Sequence, residues 1–172
     1  MPCNLNFNQC NTGCNFPRPI FTCFRNFIAL LNQSGNTIVN PVVEGATLLS
    51  SVNPQTVAAG GLVVPVTSFS SGSAITNDNG GTFTAVFGRY LVSYNLNGNI
   101  GANGSSSYAI YLDGVIIPSS QSTTSGTAGA STTHSGSAFV QIVNPTGAIT
   151  LRNVNTSTAV LNGGSVNIQK IN

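Results

Sequence analysis

Four cysteines, Cys3, Cys10, Cys14 and Cys23, are the side chains best suited to chemistry, and all of them fall within the first 23 positions. The intervening stretches of six, three and eight residues match no common zinc pattern, and the one histidine, His134, lies far away in sequence. An even number of cysteines so close together favours covalent bonding within a chain or between chains, provided that the surroundings are oxidising. Free thiols remain another reading, and the connectivity stays open.

Acid–base chemistry has little to draw on. The carboxylates are Glu44, Asp78 and Asp113. Glu44 and Asp78 stand on separate segments without a nearby partner, so paired-carboxylate hydrolysis has thin support. Asp113 precedes Gly114 between two apolar runs, which makes it a turn former. His134 closes the Ser/Thr/Gly/Ala tract Ser119–Ser135, expected to be a long exposed loop, and no acid nearby completes a triad with its serines. No catalytic residue, metal site or cofactor site is expected, and the chain reads as not an enzyme. The cations Arg18, Arg25, Arg89, Arg152 and Lys170 are scattered, so nucleic acid is not an expected partner. No apolar run approaches the roughly 18 residues of a membrane span. The opening Met1-Pro2-Cys3-Asn4-Leu5-Asn6-Phe7 lacks the basic and apolar regions of a Sec signal peptide.

What must position these residues is a chain of 172 residues, of which 5% are charged, with a net charge of +2. An ordinary soluble domain carries about 25% charged residues. Asn, Ser, Thr and Gly supply the polarity instead, and such a surface offers little electrostatic repulsion against its own copies. Self-association follows as an expectation.

Five of the nine phenylalanines, Phe7, Phe16, Phe21, Phe24 and Phe27, crowd the same end as the cysteines. Asn residues and Pro17-Arg18-Pro19 break any period there, so residues 1–26 read as an irregular arm. Each ring buries about 150–250 Å² when packed, so the arm must dock on its own domain or on a neighbouring subunit. Phe7, Phe16, Ile20, Phe21 and Phe24 are the docking candidates.

From residue 27 onward short β-prone segments alternate with turn chemistry every 8–12 residues or so, the pattern of an all-β sandwich or barrel. Expected strands are Phe27–Asn32, Thr37–Val43, Ala46–Val52, Leu62–Thr67, Thr82–Phe87, Tyr90–Leu96, Ser107–Leu112, Val115–Pro118, Ser137–Val143, Ala148–Asn153, Thr158–Leu161 and Ser165–Ile171. Tyr90, Val92, Tyr94 and Leu96 point one way, Ser93 and Asn95 the other. Asp113-Gly114 predicts a two-residue hairpin, and Asn144-Pro145-Thr146-Gly147 predicts a β-turn between two strands.

Phe87-Gly88-Arg89-Tyr90-Leu91-Val92-Ser93-Tyr94 resembles the F-x-G-x-Y-x-x-S-type strand of the C1q/TNF-like jelly-roll superfamily. The Tyr108–Ile117 hairpin, the Ser135–Ile142 strand and a closing Val166–Ile171 strand follow in the order of that superfamily. The likeness covers about residues 27–172 and is strongest to the C-terminal domains of BclA-like proteins of the Bacillus and Clostridium spore exosporium. Those proteins carry a Gly-X-Y collagen stalk, which this chain lacks. The resemblance implies an antiparallel jelly-roll sandwich that forms a homotrimer through one sheet. It also implies a place on the spore surface, in the exosporium or an endospore appendage. With the arm at 1–26 as connector and Cys3, Cys10, Cys14 and Cys23 as cross-link candidates, the expected function is a structural protein whose trimers stack into a fibre or layer. Its expected partners are copies of itself and other spore-surface proteins. The alternative is a soluble trimeric binding module that recognises a carbohydrate or receptor through loops such as Ser119–Ser135.

Overall fold

A computed structural model describes residues 46–171, which belong to one compact unit. Ten strands follow one another: β1 (Thr47–Val52), β2 (Gln55–Val57), β3 (Pro65–Ser71), β4 (Ile75–Asn77), β5 (Thr82–Asn99), β6 (Ser105–Leu112), β7 (Val115–Ile116), β8 (Ser122–Ser125), β9 (Ser131–Asn153) and β10 (Ala159–Lys170). The only helical piece among the described residues is one 3-10 turn, Pro118–Ser120. The expected strands Phe27–Asn32 and Thr37–Val43 lie outside the described residues.

All pairings are antiparallel, and two long strands organise them. β5 and β9 run side by side as a ribbon, and its two halves belong to opposite layers. In the first layer the order is β3-β1-β10, then the Gly88–Asn99 half of β5, then the Ser131–Ile142 half of β9. In the second layer β4 pairs the Thr82–Val86 half of β5, the later half of β9 pairs β6, and β7 and β8 close the edge of β6. The result is an antiparallel jelly-roll sandwich. Phe83, Ile110, Ile149 and Leu151 of the second layer face Val92, Tyr94 and Val166 of the first around a void of only about 10 Å³.

Three expected breaks between strands are instead irregularities within continuous strands. Between Thr82–Phe87 and Tyr90–Leu96 the chain stays extended, as it does between Ser137–Val143 and Ala148–Asn153. In the register, Val86 faces Thr146 and Gly88 faces Ile142, so Val143-Asn144-Pro145 bulge opposite Phe87 alone. The β-turn read at Asn144–Gly147 is therefore wrong. Pro145 has no N–H for a central ladder, and a bulge satisfies that restriction as well as a turn does. Gly88, at φ 148°, takes up the change of layer where a Cβ would be strained. Thr158–Leu161 and Ser165–Ile171 likewise merge into β10 across a register shift beside Gly163. The strand expected at Leu62–Thr67 starts later, at Pro65, and Leu62 makes only an isolated bridge to Arg152.

The core follows the alternation. Tyr90, Val92, Tyr94 and Leu96 are buried, while Asn95 is exposed. One polar side chain ties the layers to their loops: Asn153 is fully buried, and its Nδ2 donates to the carbonyls of Val57 (3.2 Å), Ala58 (3.1 Å) and Ser157 (2.9 Å) while its Oδ1 accepts from the Asn155 amide. Asn153→Ala removes all of these bonds, at about 1–3 kcal/mol for the buried Val57 carbonyl left unsatisfied and about 1 kcal/mol for each bond whose partner still reaches water or another donor. Urea unfolding is expected to show a loss of roughly 2–4 kcal/mol, with the slope m unchanged.

Candidate functional site

Alternation along a strand sends every second side chain outward, so the outer face of the first layer can be read row by row from the registers. One row runs Ser71, Thr47, Gln169, Leu91 and Phe139 across β3, β1, β10, β5 and β9. The next runs Phe69, Leu49, Asn167, Ser93 and Ser137, and the third Val66, Ser51, Ser165, Asn95 and Ser135. No charged side chain occurs in these rows; Arg89, opposite Gln141, stands just beyond the first. Apolar groups gather at the two margins. Phe139 is 77% exposed at one margin, and Phe69 at 55% stands with Val66 and Leu49 at the other. The middle is made of hydroxyls and amides. Among them, the Oδ1 of Asn167 is shut off from solvent without a hydrogen-bond partner.

An uncharged face with aromatic margins and a polar middle has the makeup of a protein contact. Depletion of charge and enrichment of aromatics mark interface centres, and contiguous exposed apolar groups mark interaction sites. A second apolar corner lies at the bulge, where Phe87 and Val143 are 65% and 69% exposed.

The residues weighed for chemistry take other roles. Asp113 is a turn former as expected: it adopts φ 49° before Gly114 at φ 81°, and its Oδ1 accepts from the Ala148 amide at 2.8 Å. Asp78 holds its own loop, accepting from the Gly80 amide at 2.7 Å and the Thr82 amide at 2.9 Å. Those amides, Thr82 first, hold its carboxyl below the usual range.

His134 corrects the expectation most sharply. Ser119–Ser135 is not one exposed loop: it holds the end of the 3-10 turn, then β8, a short connection and the start of β9. His134 sits on β9 with 1% of its surface exposed. Ser/Thr-rich segments lack apolar anchors, but here the backbone ladder to β5 and the inward turn of every second residue decide burial. Ser122 Oγ lies 3.4 Å from His134 Nδ1. That pair has two triad members in type, yet it lacks the carboxylate and the solvent access that acyl transfer needs.

Sequence reasoning missed three structural residues. Tyr94 Oη reaches the carbonyls of Tyr108 (2.9 Å) and Ser120 (2.8 Å), and burial pushes its phenol up to about 12. Asn153 was indistinguishable from the other asparagines. Phe139 was legible: it falls on the same side as Ser137 and Gln141, the outward side of its strand. Glu44, Cys3, Cys10, Cys14, Cys23, Phe7, Phe16, Ile20, Phe21 and Phe24 lie outside the described residues.

No family model matches the sequence, and no curated protein does. Solved structures match in fold. Murine APRIL at pH 5.0 superposes with a TM-score of 0.61 at 11% identity, over 74% of this chain and 99% of that one. The globular domain of zebrafish complement 1qA gives 0.58 at 12%, over 74% and 98%. Eiger TNF from S. frugiperda gives 0.57 at 11%, over 74% and 94%. The fold is thus the antiparallel jelly roll of C1q/TNF-like domains.

Proposed function

We propose that this protein is a non-enzymatic structural subunit of the bacterial spore surface, assembling through a trimeric jelly-roll head, residues 27–172, and an N-terminal connector, residues 1–26. The observation that carries the reading is the uncharged outer face of the first layer, with Phe139 and Leu91 at one margin and Phe69 and Leu49 at the other. A face whose two margins are both apolar suits closed rotational packing, in which one margin of each copy meets the other margin of the next. Three-fold packing of that kind is what the C1q/TNF-like resemblance implies. The spore-surface assignment rests on the likeness of the 87–94, 108–117 and 135–142 segments to BclA-like heads.

The connector supplies the second contact. Docking an arm into the next trimer is heterologous and does not close, so it yields a fibre or a layer. Phe7, Phe16, Ile20, Phe21 and Phe24 fill pockets on the receiving subunit, and Cys3, Cys10, Cys14 and Cys23 cross-link the joint.

Electron microscopy of the full chain and of a form lacking residues 1–24 tests the reading. The full chain is expected to form filaments or sheets and the truncated form discrete particles. Assembly that survives the truncation undiminished overturns the connector. Discrete trimers from the full chain point instead to a binding module that works through its loops.

A further inference from the structure

We infer that protonation of His134 opens the end of the sandwich closed by β8 and the first half of β9. The imidazole faces Leu96 across the β5–β9 ladder and packs edge-on against the Tyr108 ring of β6, with centroids 5.0 Å apart and an interplanar angle of 65°. Its Nδ1 lies 3.4 Å from Ser122 Oγ of β8, the Ser122 backbone partly offsets the effect of burial by favouring the protonated ring, and its Nε2 has no hydrogen-bond partner. The buried Tyr108 Oη and Ser106 Oγ on β6 have no other polar group to bond and interact only loosely with each other.

The titratable groups facing it are both phenols: Tyr108 on β6, and Tyr94 on β5, whose ring lies against Gly136, the next inward position of β9. β8 offers Ser122 and the 3-10 turn offers Ser120, neither of which carries charge. The two carboxylates among the described residues are engaged elsewhere, Asp78 with the Gly80 and Thr82 amides and Asp113 with the Ala148 amide. A protonated ring would therefore place a cation and an N–H donor in the core with no counter-ion and no acceptor at Nε2, a state that is unfavourable unless the ring reaches water. The weakest wall is β8, a four-residue edge strand whose ladder runs to β6 alone.

The sign follows from linkage. Burial holds the imidazole below its ordinary value of 6.5, so the open form binds the proton more tightly. The closed form keeps its full stability above that value and loses it as the pH falls toward the lower, closed-state value. While the closed form takes up no proton, the opening constant rises about 4-fold at pH 6 and about 30-fold at pH 5. His134 is the only histidine in the chain, and no other side-chain type ordinarily titrates between carboxylates near 4 and thiols near 8.5. The outward side of the same strand carries Ser135, Ser137 and Phe139, so opening also loosens the contact face; this last step alone rests on the proposed self-association.

Hydrogen–deuterium exchange of the full chain at pH 7, 6 and 5, corrected for intrinsic rates and read by mass spectrometry, tests the device. Protection over residues 122–137 is expected to fall by up to about 25-fold between pH 7 and 5, relative to residues 149–151 in the β6–β9 ladder. Exchange at the imidazole Cε1 is expected to place the ring's titration below its ordinary value of 6.5, and His134→Gln is expected to flatten the response. Constant protection, or a ring that titrates at its ordinary value in the closed domain, overturns the inference. Should the variant fail to fold, the two readings on the unaltered chain decide alone. Sedimentation in parallel separates the readings: lost protection with unchanged assembly upholds the opening and overturns the placing of the contact on this face.

Discussion

Replacing Gly136 by alanine is expected to destabilise the domain by about 1–5 kcal/mol, at the upper end enough to remove much of the stability of an ordinary domain. A Cβ at this position points into the core. It would overlap the Ser120 carbonyl and come within 2.7 Å of both Cε1 and Oη of Tyr94. Neither neighbour can give way cheaply, because Tyr94 Oη is hydrogen-bonded to that same carbonyl and to the carbonyl of Tyr108, and the tyrosine is 4% exposed. Overpacking costs about 1–3 kcal/mol, and separating the phenol from its acceptors adds about 1–3 more. The gain from restricting the unfolded chain, about 0.4–1 kcal/mol, is the smaller quantity, so the sign is secure. Thermal or urea unfolding of Gly136→Ala beside Ser137→Ala, an exposed neighbour expected to change stability by less than about 0.5 kcal/mol, checks it. Equal stabilities for the two variants would show that the close approach of β9 to Tyr94 is not real.

The second large effect concerns association. Phe139→Lys is expected to leave the isolated head folded, with a stability change of less than about 0.5 kcal/mol, because the ring is 77% exposed and core packing loses little. In the assembly it removes an aromatic anchor and puts a charge into rows that have none. A central anchor contributes about 2 kcal/mol or more, so in the proposed trimer, with three copies of the contact, the loss approaches about 6 kcal/mol per trimer. Sedimentation of the variant is expected to show monomers at concentrations where the unaltered protein is associated. Phe87→Lys, at the bulge and outside the three rows, is the control; an equal effect there would move the contact away from this face.

These predictions draw on different parts of what the chain reveals. The Asp113-Gly114 hairpin was legible because its cause is local: two successive residues must take positive φ, and few other pairs do so readily. The inward set Tyr90, Val92, Tyr94 and Leu96 was legible for the same kind of reason, since alternation belongs to a single strand. Asn144–Gly147 misled because proline and glycine mark any interruption of a ladder, and the choice between a turn and a bulge belongs to the partner strand. His134 misled because serine, threonine and glycine carry little preference of their own. Pairing with Asn95–Asn99, more than thirty residues earlier, is what put residues 131–135 into a sheet.

By itself the sequence determined the scarcity of charge, the all-β pattern, the hairpin and the side of its strand on which each residue lies. Tertiary structure alone decided that Leu49, Phe69, Leu91 and Phe139 share one face, and that the chain's only histidine sits in the core while its serine neighbours face out. The reason is the range of the forces. Alternation and turn preference are set by neighbouring residues, whereas strand order is set by hydrogen-bond ladders and core packing between segments distant in the chain, and only those place separate apolar residues side by side.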